Sequence, residues 1–190
     1  MGTPWYRYCL WATISSELCR SKNQFSTAKC MYDALFEGHD LTKGGGFVHQ
    51  KKSGLDMDEF HHVLRTLGYS TFQETGTIEY DKDTVIRFIQ KAGVMAGIRK
   101  YHEHLFLDDV LVSVPLFTVE GNYYKWKHKA MQEYFAQYIC ADAKAHQETI
   151  LMNMYRSAHL ALYIHVLDLC YKTFRATIVH QVLQKMVAHY

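Results

Sequence analysis

The chain has 190 residues, 48% hydrophobic and 21% charged, so it can bury a core and falls outside the disordered class. Its 21 basic and 19 acidic residues give a net charge of +2, too small for the dense positive field of a dedicated nucleic-acid binder. The five cysteines form no C-x-x-C pair, and polar residues at 15–17 interrupt the first apolar stretch. We therefore expect reduced thiols, no secretory leader and a cytoplasmic protein.

Helical spacing dominates the N-terminal part. An aromatic-rich helix is predicted over residues 4–19, because proline suits the first turn of a helix. A second helix is predicted from an apolar stripe formed by Phe25, Ala28, Tyr32, Leu35 and Phe36. The glycine-rich interval 38–54 cannot easily sustain a helix. Residues 1–54 therefore form a predicted helical segment and connector.

The next region begins with a helix start signal. Asp56 and Glu59 have the spacing of a capping box, and an apolar face follows, formed by Phe60, Val63, Leu64 and Leu67. The β-prone run 77–80 leads to Asp81, a predicted cap for the next helix. A further helix is predicted over residues 105–112, and Pro115 closes it.

A β-hairpin is predicted after that helix. Extended runs at 116–119 and 123–127 flank Gly121 and Asn122, which tolerate the left-handed angles of a tight turn. Trp126 shares strand parity with Tyr124, so both rings are expected in the core, with Lys125 and Lys127 facing water.

The remainder is predicted to be helical. An amphipathic helix follows His128, and further helices are predicted over 147–172 and 174–187. The most apolar stretch, 160–171, is too short to span a bilayer and contains two polar residues. The predicted fold is mainly α: a helical segment, a winged-helix domain over residues 55–142 with a small β-hairpin, and a C-terminal helical extension over residues 143–190.

One stretch resembles a known family signature, the aromatic-x-His-x-x-x-Gln-Glu-Tyr-Phe-Ala pattern in the winged-helix domain of NACHT proteins. Here it reads Trp126-Lys127-His128-Lys129-Ala130-Met131-Gln132-Glu133-Tyr134-Phe135-Ala136. NACHT proteins are STAND-class signal-transduction NTPases, which include animal inflammasome receptors and bacterial antiphage defence proteins. The order of Phe106-Leu107-Asp108-Asp109-Val110, Val114-Pro115-Leu116 and the glycine hairpin also fits. Residues 31–36, 45–48 and 51–54 resemble the segment that bacterial members place before the winged helix.

The resemblance implies a regulatory role in innate or antiphage defence. In the family, the histidine that matches His128 senses the β-phosphate of bound ADP and holds the resting state closed. Pro4 lies near the place where the family presents a proline to the adenine ring. The remaining signature residues are interpreted as architectural: Trp126, Gln132, Glu133, Tyr134 and Phe135.

The chain contains no P-loop, because no glycine is followed by lysine. It therefore looks like the C-terminal half of a STAND module, with no catalytic residue and no cofactor of its own. ATP or ADP with Mg would belong to the intact parent protein. The expected partner is a P-loop nucleotide-binding domain in cis or trans, and the parent could also self-associate.

Each candidate residue also has a plain structural interpretation. His128 could be an exposed histidine at a helix start, and Pro4 a helix-start proline. The pairs His61-His62 and His102-x-His104 lack a recognisable third metal ligand, so no metal site is predicted. Asp108-Asp109 is interpreted as a solvated turn. There is no G-x-S-x-G elbow.

Two other functions remain open. A free-standing winged-helix protein could bind DNA through its basic clusters, Lys51-Lys52 and the ladder Lys125, Lys127 and Lys129, although such clusters also occur on ordinary solvated faces. A helical adaptor could dock a protein partner through an apolar groove in the final helices. We expect neither a membrane nor a nucleic-acid partner.

Overall fold

The computed structural model describes Tyr32, residues 51–75, 78–98, 100–139, 146–157 and 159–180, and Gln184, without the side chains of Glu74 and Thr75. The helices predicted over residues 4–19 and 25–36 lie outside these residues, apart from Tyr32, which is helical and buried. Pro4 also lies outside them.

The fold is mainly α with a small antiparallel sheet. Its elements are α1 (Met57–Thr75), β1 (Glu79–Asp81), α2 (Lys82–Met95), α3 (Glu103–Asp108), a π-helical turn (Asp109–Ser113), β2 (Phe117–Glu120), β3 (Tyr123–Trp126), α4 (Lys129–Ala136), α5 (Gln147–Arg156), α6 (Leu160–Thr173) and α7 (Arg175–Ile178).

The sheet explains how the first seven elements are arranged. Its strand order is β1-β3-β2, with both pairs antiparallel. Tyr124, in the middle strand, lies opposite Tyr80 on one side and Val119 on the other. A helix, a strand, two helices and a hairpin whose second strand pairs with the first strand form a winged-helix arrangement.

The helix start signals predicted from the sequence are present at the N-termini of α1 and α2. The Glu59 amide donates to the Asp56 carboxylate at 2.8 Å, and the Asp56 amide donates to the Glu59 carboxylate at 3.1 Å, which confirms the capping box. Asp81 caps α2 by accepting hydrogen bonds from the amide and the hydroxyl of Thr84, each at 2.8 Å. These bonds hold the pKa of Asp81 below its usual value.

The main core lies between α1, α2, α3, the sheet and α4. Its fully buried side chains include Phe60, Val63, Leu64, Leu67, Val85, Ile89, Phe106, Val110, Leu116 and Trp126. Helices α1 and α4 approach closely at Gly68, where an added Cβ would lie 2.6 Å from Cβ of Phe135 and 3.0 Å from the carbonyl oxygen of Gln132. Only glycine fits this contact.

A second core joins the C-terminal helices to the winged helix. Tyr69 and Phe72 of α1 and Ala136 of α4 pack against buried side chains of α5, α6 and α7: Leu151, Met154, Tyr155, Val166, Cys170 and Ile178. The hydroxyl of Thr173 donates to the side-chain oxygen of Gln137 at 2.8 Å. The C-terminal helices are therefore packed onto the winged helix through α1 and α4.

The prediction of a single helix over residues 147–172 is wrong. The chain leaves helical geometry at Ser157, whose ψ of 139° ends α5, and α6 begins at Leu160. An uninterrupted helix would carry Val166 and Cys170 away from Leu151, whereas the break lets all three share one core. Of the helix predicted over residues 174–187, the described residues include α7 and the π-helical residues up to His180, and most of the remainder lies outside them.

Asp109 corrects another expectation. It lies in the π-helical turn and is fully buried, so the solvated turn predicted for Asp108-Asp109 is wrong at this residue. Its carboxylate accepts the backbone amides of Lys52 and Ser53, each at 2.9 Å, and the hydroxyl of Ser113 at 3.2 Å. A buried carboxylate is stabilised by such donors, and here it attaches the connector to the helical core.

Candidate anion site at the junction of wing and helix

His128 lies between strand β3 and helix α4. Its backbone is extended, with φ −144° and ψ 135°, and its carbonyl accepts the amide of Met131 at 3.0 Å, so it is the N-cap residue. The ring is exposed and makes no capping hydrogen bond. The first amides of a helix have no acceptor within the helix, so they and the imidazole form an arrangement that suits an anion.

Two lysines flank this histidine, and both are exposed. The amide of Lys127 donates to the carbonyl of Leu116 at 2.8 Å, which holds the end of β3 against the start of β2. The ammonium of Lys129 lies 3.7 Å from the carboxylate of Glu133. The junction therefore presents Lys127, His128 and Lys129, which we call the junction cluster, to solvent.

The residues beneath the junction cluster form a buried hydrogen-bonded node. The hydroxyl of Thr71 donates to the carbonyl of Leu67 at 2.8 Å and accepts Trp126 Nε1 at 3.2 Å and Gln132 Nε2 at 3.1 Å. Gln132 Nε2 also donates to the hydroxyl of Tyr80 at 3.0 Å. One hydroxyl can donate once and accept twice, so Thr71 is saturated. The node ties β3 and α4 to α1 and β1.

The aromatic end of the signature segment is also buried. Tyr134 and Phe135 belong to the main core, where the Phe135 ring lies 6.0 Å from the ring of Trp126 and 5.1 Å from that of Tyr32. Tyr32 therefore packs against α4 through the rings of Tyr134 and Phe135. Packing accounts for both residues without any ligand.

Glu133 lies on the side of α4 that faces the C-terminal helices. It is 9% exposed, and burial raises the pKa of its carboxyl, while the charges of His165 and Lys129 oppose that rise. His165 belongs to α6. The pKa of this carboxyl therefore depends on groups from both the winged helix and the C-terminal helices.

Other helices also begin at histidines. His102, His146 and His159 are exposed N-cap residues of α3, α5 and α6, and none makes a capping hydrogen bond through its side chain. His128 differs from them by lying between two exposed lysines at the end of the wing. These other residues provide natural controls for the role of His128.

The two histidine pairs do not gather further ligands. Within the part of the chain that the structure describes, no group of three or more His, Cys, Asp or Glu side chains could hold a metal ion. The ring of His61 packs edge-on against Tyr32 at 5.6 Å, and burial, Arg65 and Lys51 lower its pKa. His102 and His104 are exposed.

The outer face of the sheet carries mainly acidic groups. Lys125 lies in the middle strand, opposite Glu79 and next to Glu120, and its ammonium forms ion pairs with both carboxylates. These carboxylates raise the pKa of Lys125. Asp81 lies opposite Tyr123 on the same face. Tyr124 is partly buried against the core on the opposite face.

Sequence reasoning missed two members of the buried node, Thr71 and Tyr80. Thr71 lies in the C-terminal part of α1, and its partners are 55 and 61 residues further along the chain. A threonine in an otherwise apolar helical pattern was the available signal. Its partners depend on the pairing of β1 with β3, which local patterns do not reveal.

Among the described residues, no helix is both long enough and apolar enough to cross a membrane. Comparison of the chain with protein-family models, curated proteins and solved structures found no match.

Proposed function

We propose that this chain is the regulatory winged-helix and helical part of a NACHT-type signal-transduction NTPase, acting in the cytoplasm in innate or antiphage defence. His128 reads the β-phosphate of ADP bound by a P-loop domain, supplied in cis or in trans. The chain itself has no catalytic role, and the ATP or ADP and its Mg belong to the nucleotide-binding domain. The observation that carries the proposal is an exposed histidine at an uncapped helix start, between Lys127 and Lys129.

The geometry supports a phosphate contact because three kinds of donor lie next to one another at the junction cluster. The imidazole ring of His128, the ammonium groups and the first amides of α4 can each donate a hydrogen bond to an anion, and the helix dipole adds to them. The buried node of Thr71, Trp126 and Gln132 fixes the end of β3 and the start of α4, between which the junction cluster lies. A preorganised site loses little entropy when it binds an anion.

Regulation would follow if ADP binds the closed and open arrangements of the parent protein with different affinities. If the junction cluster contacts ADP only when the winged helix lies against the nucleotide domain, then ADP stabilises that closed arrangement. By linkage, the closed arrangement increases the affinity for ADP by the same factor. Release of the contact would favour an open, signalling state, in which the parent could self-associate.

The charge distribution favours this function over DNA binding. In a winged helix, the helix before the wing enters the DNA groove, and that place is taken by α3 and the π-helical turn. The exposed and half-buried side chains there include Glu103 and Asp108, and residues 101–113 contain no lysine or arginine. On the outer face of the wing, Lys125 is already paired with Glu79 and Glu120.

The test is the affinity of a P-loop domain for ADP, measured by titration calorimetry with this chain joined to it or added in trans. We expect tighter ADP binding with the chain than without it. His128→Ala should weaken binding about tenfold, the effect of losing one charge-assisted hydrogen bond.

His159→Ala is the matched control, because His159 is also an exposed N-cap histidine without a capping bond. It should leave ADP affinity unchanged. Equal affinities for wild type and His128→Ala would remove the phosphate contact. Salt-dependent binding of duplex DNA that weakens in Lys125→Ala and Lys127→Ala would instead support the DNA-binding alternative.

A further inference from the structure

A cavity of about 330 Å³ lies where the C-terminal helices meet α1. It shares no residue with the junction cluster, and its size is at the lower end of the range for small-molecule sites. Its walls come from α1, α5, the residue that follows α5, and α6. The proposed function assigns no role to this cavity.

Part of the cavity lining is apolar and aromatic. Tyr69 and Met154 are buried side chains of the second core that also line the cavity. Tyr163 adds a second ring, which is held by an edge contact with Phe72 at 5.5 Å. Two phenol rings and a polarizable thioether in one lining suit a flat aromatic group.

The rim of the cavity is polar. Gln73 and Asn153 contribute exposed amides, and Arg156 contributes a guanidinium group. Tyr69 and Gln73 are one turn apart on α1, and Asn153 and Arg156 are three residues apart on α5, so each helix contributes neighbouring side chains. Polar donors and aromatic rings therefore line the same cavity.

Arg156 is distinguished from the other arginines that the structure describes. Arg87 donates to the hydroxyl of Thr84, while Arg65 and Arg175 lie over the rings of Tyr138 and Tyr171. Within the described part of the chain, Arg156 has no such contact. Its fork of donors matches the geometry of a carboxylate.

We propose that this cavity binds a small aromatic carboxylate. The aromatic group lies between Tyr69 and Tyr163 over Met154, and the carboxylate pairs with Arg156, with the amide of Asn153 as a further donor. Because the cavity joins α1 of the winged helix to α5 and α6, such a ligand would strengthen the attachment of the C-terminal helices.

The test uses the whole chain with methionine methyl groups labelled with ¹³C, and follows the methyl resonance of Met154 by NMR. The probes are 3-phenylpropionate, its neutral amide and propionate. We expect 3-phenylpropionate to shift the resonance saturably. The amide should bind about tenfold more weakly, and propionate should have no effect, because they lack the charge and the ring respectively.

Three variants sharpen the test. Arg156→Gln should reduce the affinity for 3-phenylpropionate to that for the amide, without changing the affinity for the amide. Arg87→Gln is the matched control, and it should bind both probes like the wild type. Asn153→Trp places a large side chain in the cavity from an exposed position and should abolish binding of both probes.

The proposal is overturned if 3-phenylpropionate causes no saturable shift of the Met154 methyl group below about 10 mM, an affinity too weak for a built site. It is also overturned if the amide binds as tightly as the carboxylate, or if Arg87→Gln loses as much affinity as Arg156→Gln. The probes contain no phosphate, so neither result depends on the role of His128.

Discussion

The buried and the exposed residues of the segment 126–136 differ in how far the fold accounts for them. Trp126 and Gln132 are fully buried and bonded to Thr71, whereas Lys127, His128 and Lys129 are exposed within the same short stretch. The buried residues have a complete structural explanation in packing and hydrogen bonding. The exposed residues are not required by the core, so they are available to a ligand or partner.

The same contrast separates two neighbouring aspartates. Asp108 is half exposed and forms an ion pair with Lys52 at 3.4 Å, whereas Asp109 is buried and accepts two backbone amides. Adjacent helical residues point in different directions, so one faces water and the other faces the connector. Identical side chains at neighbouring positions can therefore have unequal importance.

The largest expected effect tests the buried side of the segment. Trp126→Ala removes a fully buried ring and the donor to Thr71, so we expect the free energy of unfolding to fall by about 3–5 kcal/mol. Lys127→Ala, at an exposed position in the same segment, should change it by less than about 0.5 kcal/mol. Chemical denaturation measures both values, and similar losses would contradict the division of the segment.

A smaller effect is expected for the aspartate pair. Asp109→Asn replaces an acceptor of two amides by a group that offers one acceptor, so the free energy of unfolding should fall by about 1–3 kcal/mol. The amides of Lys52 and Ser53 should also exchange hydrogen faster. Asp108→Asn is the control, and it should cost less than about 1 kcal/mol. Equal costs would show that the connector is not held by Asp109.

The smallest effect concerns Glu133 and depends on pH. Burial raises the pKa of this carboxyl in the folded state above its usual 4.5, so the folded state binds the proton more tightly. The resulting stability is present below pH 4.5 and is lost as the pH rises through the folded-state pKa. Glu133→Gln carries no charge at any pH, so its stability should rise relative to wild type between pH 4 and pH 8.

Denaturation at a series of pH values measures this difference. Lys129→Met should steepen the loss of stability with pH, because Lys129 opposes the rise in the pKa of Glu133. Removal of an ion pair at this helical spacing costs only about 0.5 kcal/mol by itself. A pH-independent difference between Glu133→Gln and wild type would place the carboxyl in water rather than between α4 and α6.

Local signals predicted much of the winged helix. The capping box of Asp56 and Glu59, the cap at Asp81 and the turn at Gly121 were each visible in the sequence, because each depends on residues within a few positions. The structure contains all three, and Gly121 has a φ of +61°.

Features that depend on distant residues were not predictable in this way. The break at Ser157 follows from the requirement that α5 and α6 share a core, and periodicity continues across it. The burial of Asp109 depends on amides 56 and 57 residues earlier in the chain. For the candidate site, the sequence identified His128 but not the node of Thr71 and Tyr80 beneath it.

The glycine at position 68 has a mechanical consequence. Because α1 and α4 are separated there by main-chain atoms and the Cβ of Phe135, no flexible side chain lies between them to absorb a displacement. A movement of α4 at this contact would therefore also displace α1, which packs against the C-terminal helices through Tyr69 and Phe72. The molecule thus contains a stiff connection between the wing and its C-terminal part, and its stiffness depends on the absence of one methyl group.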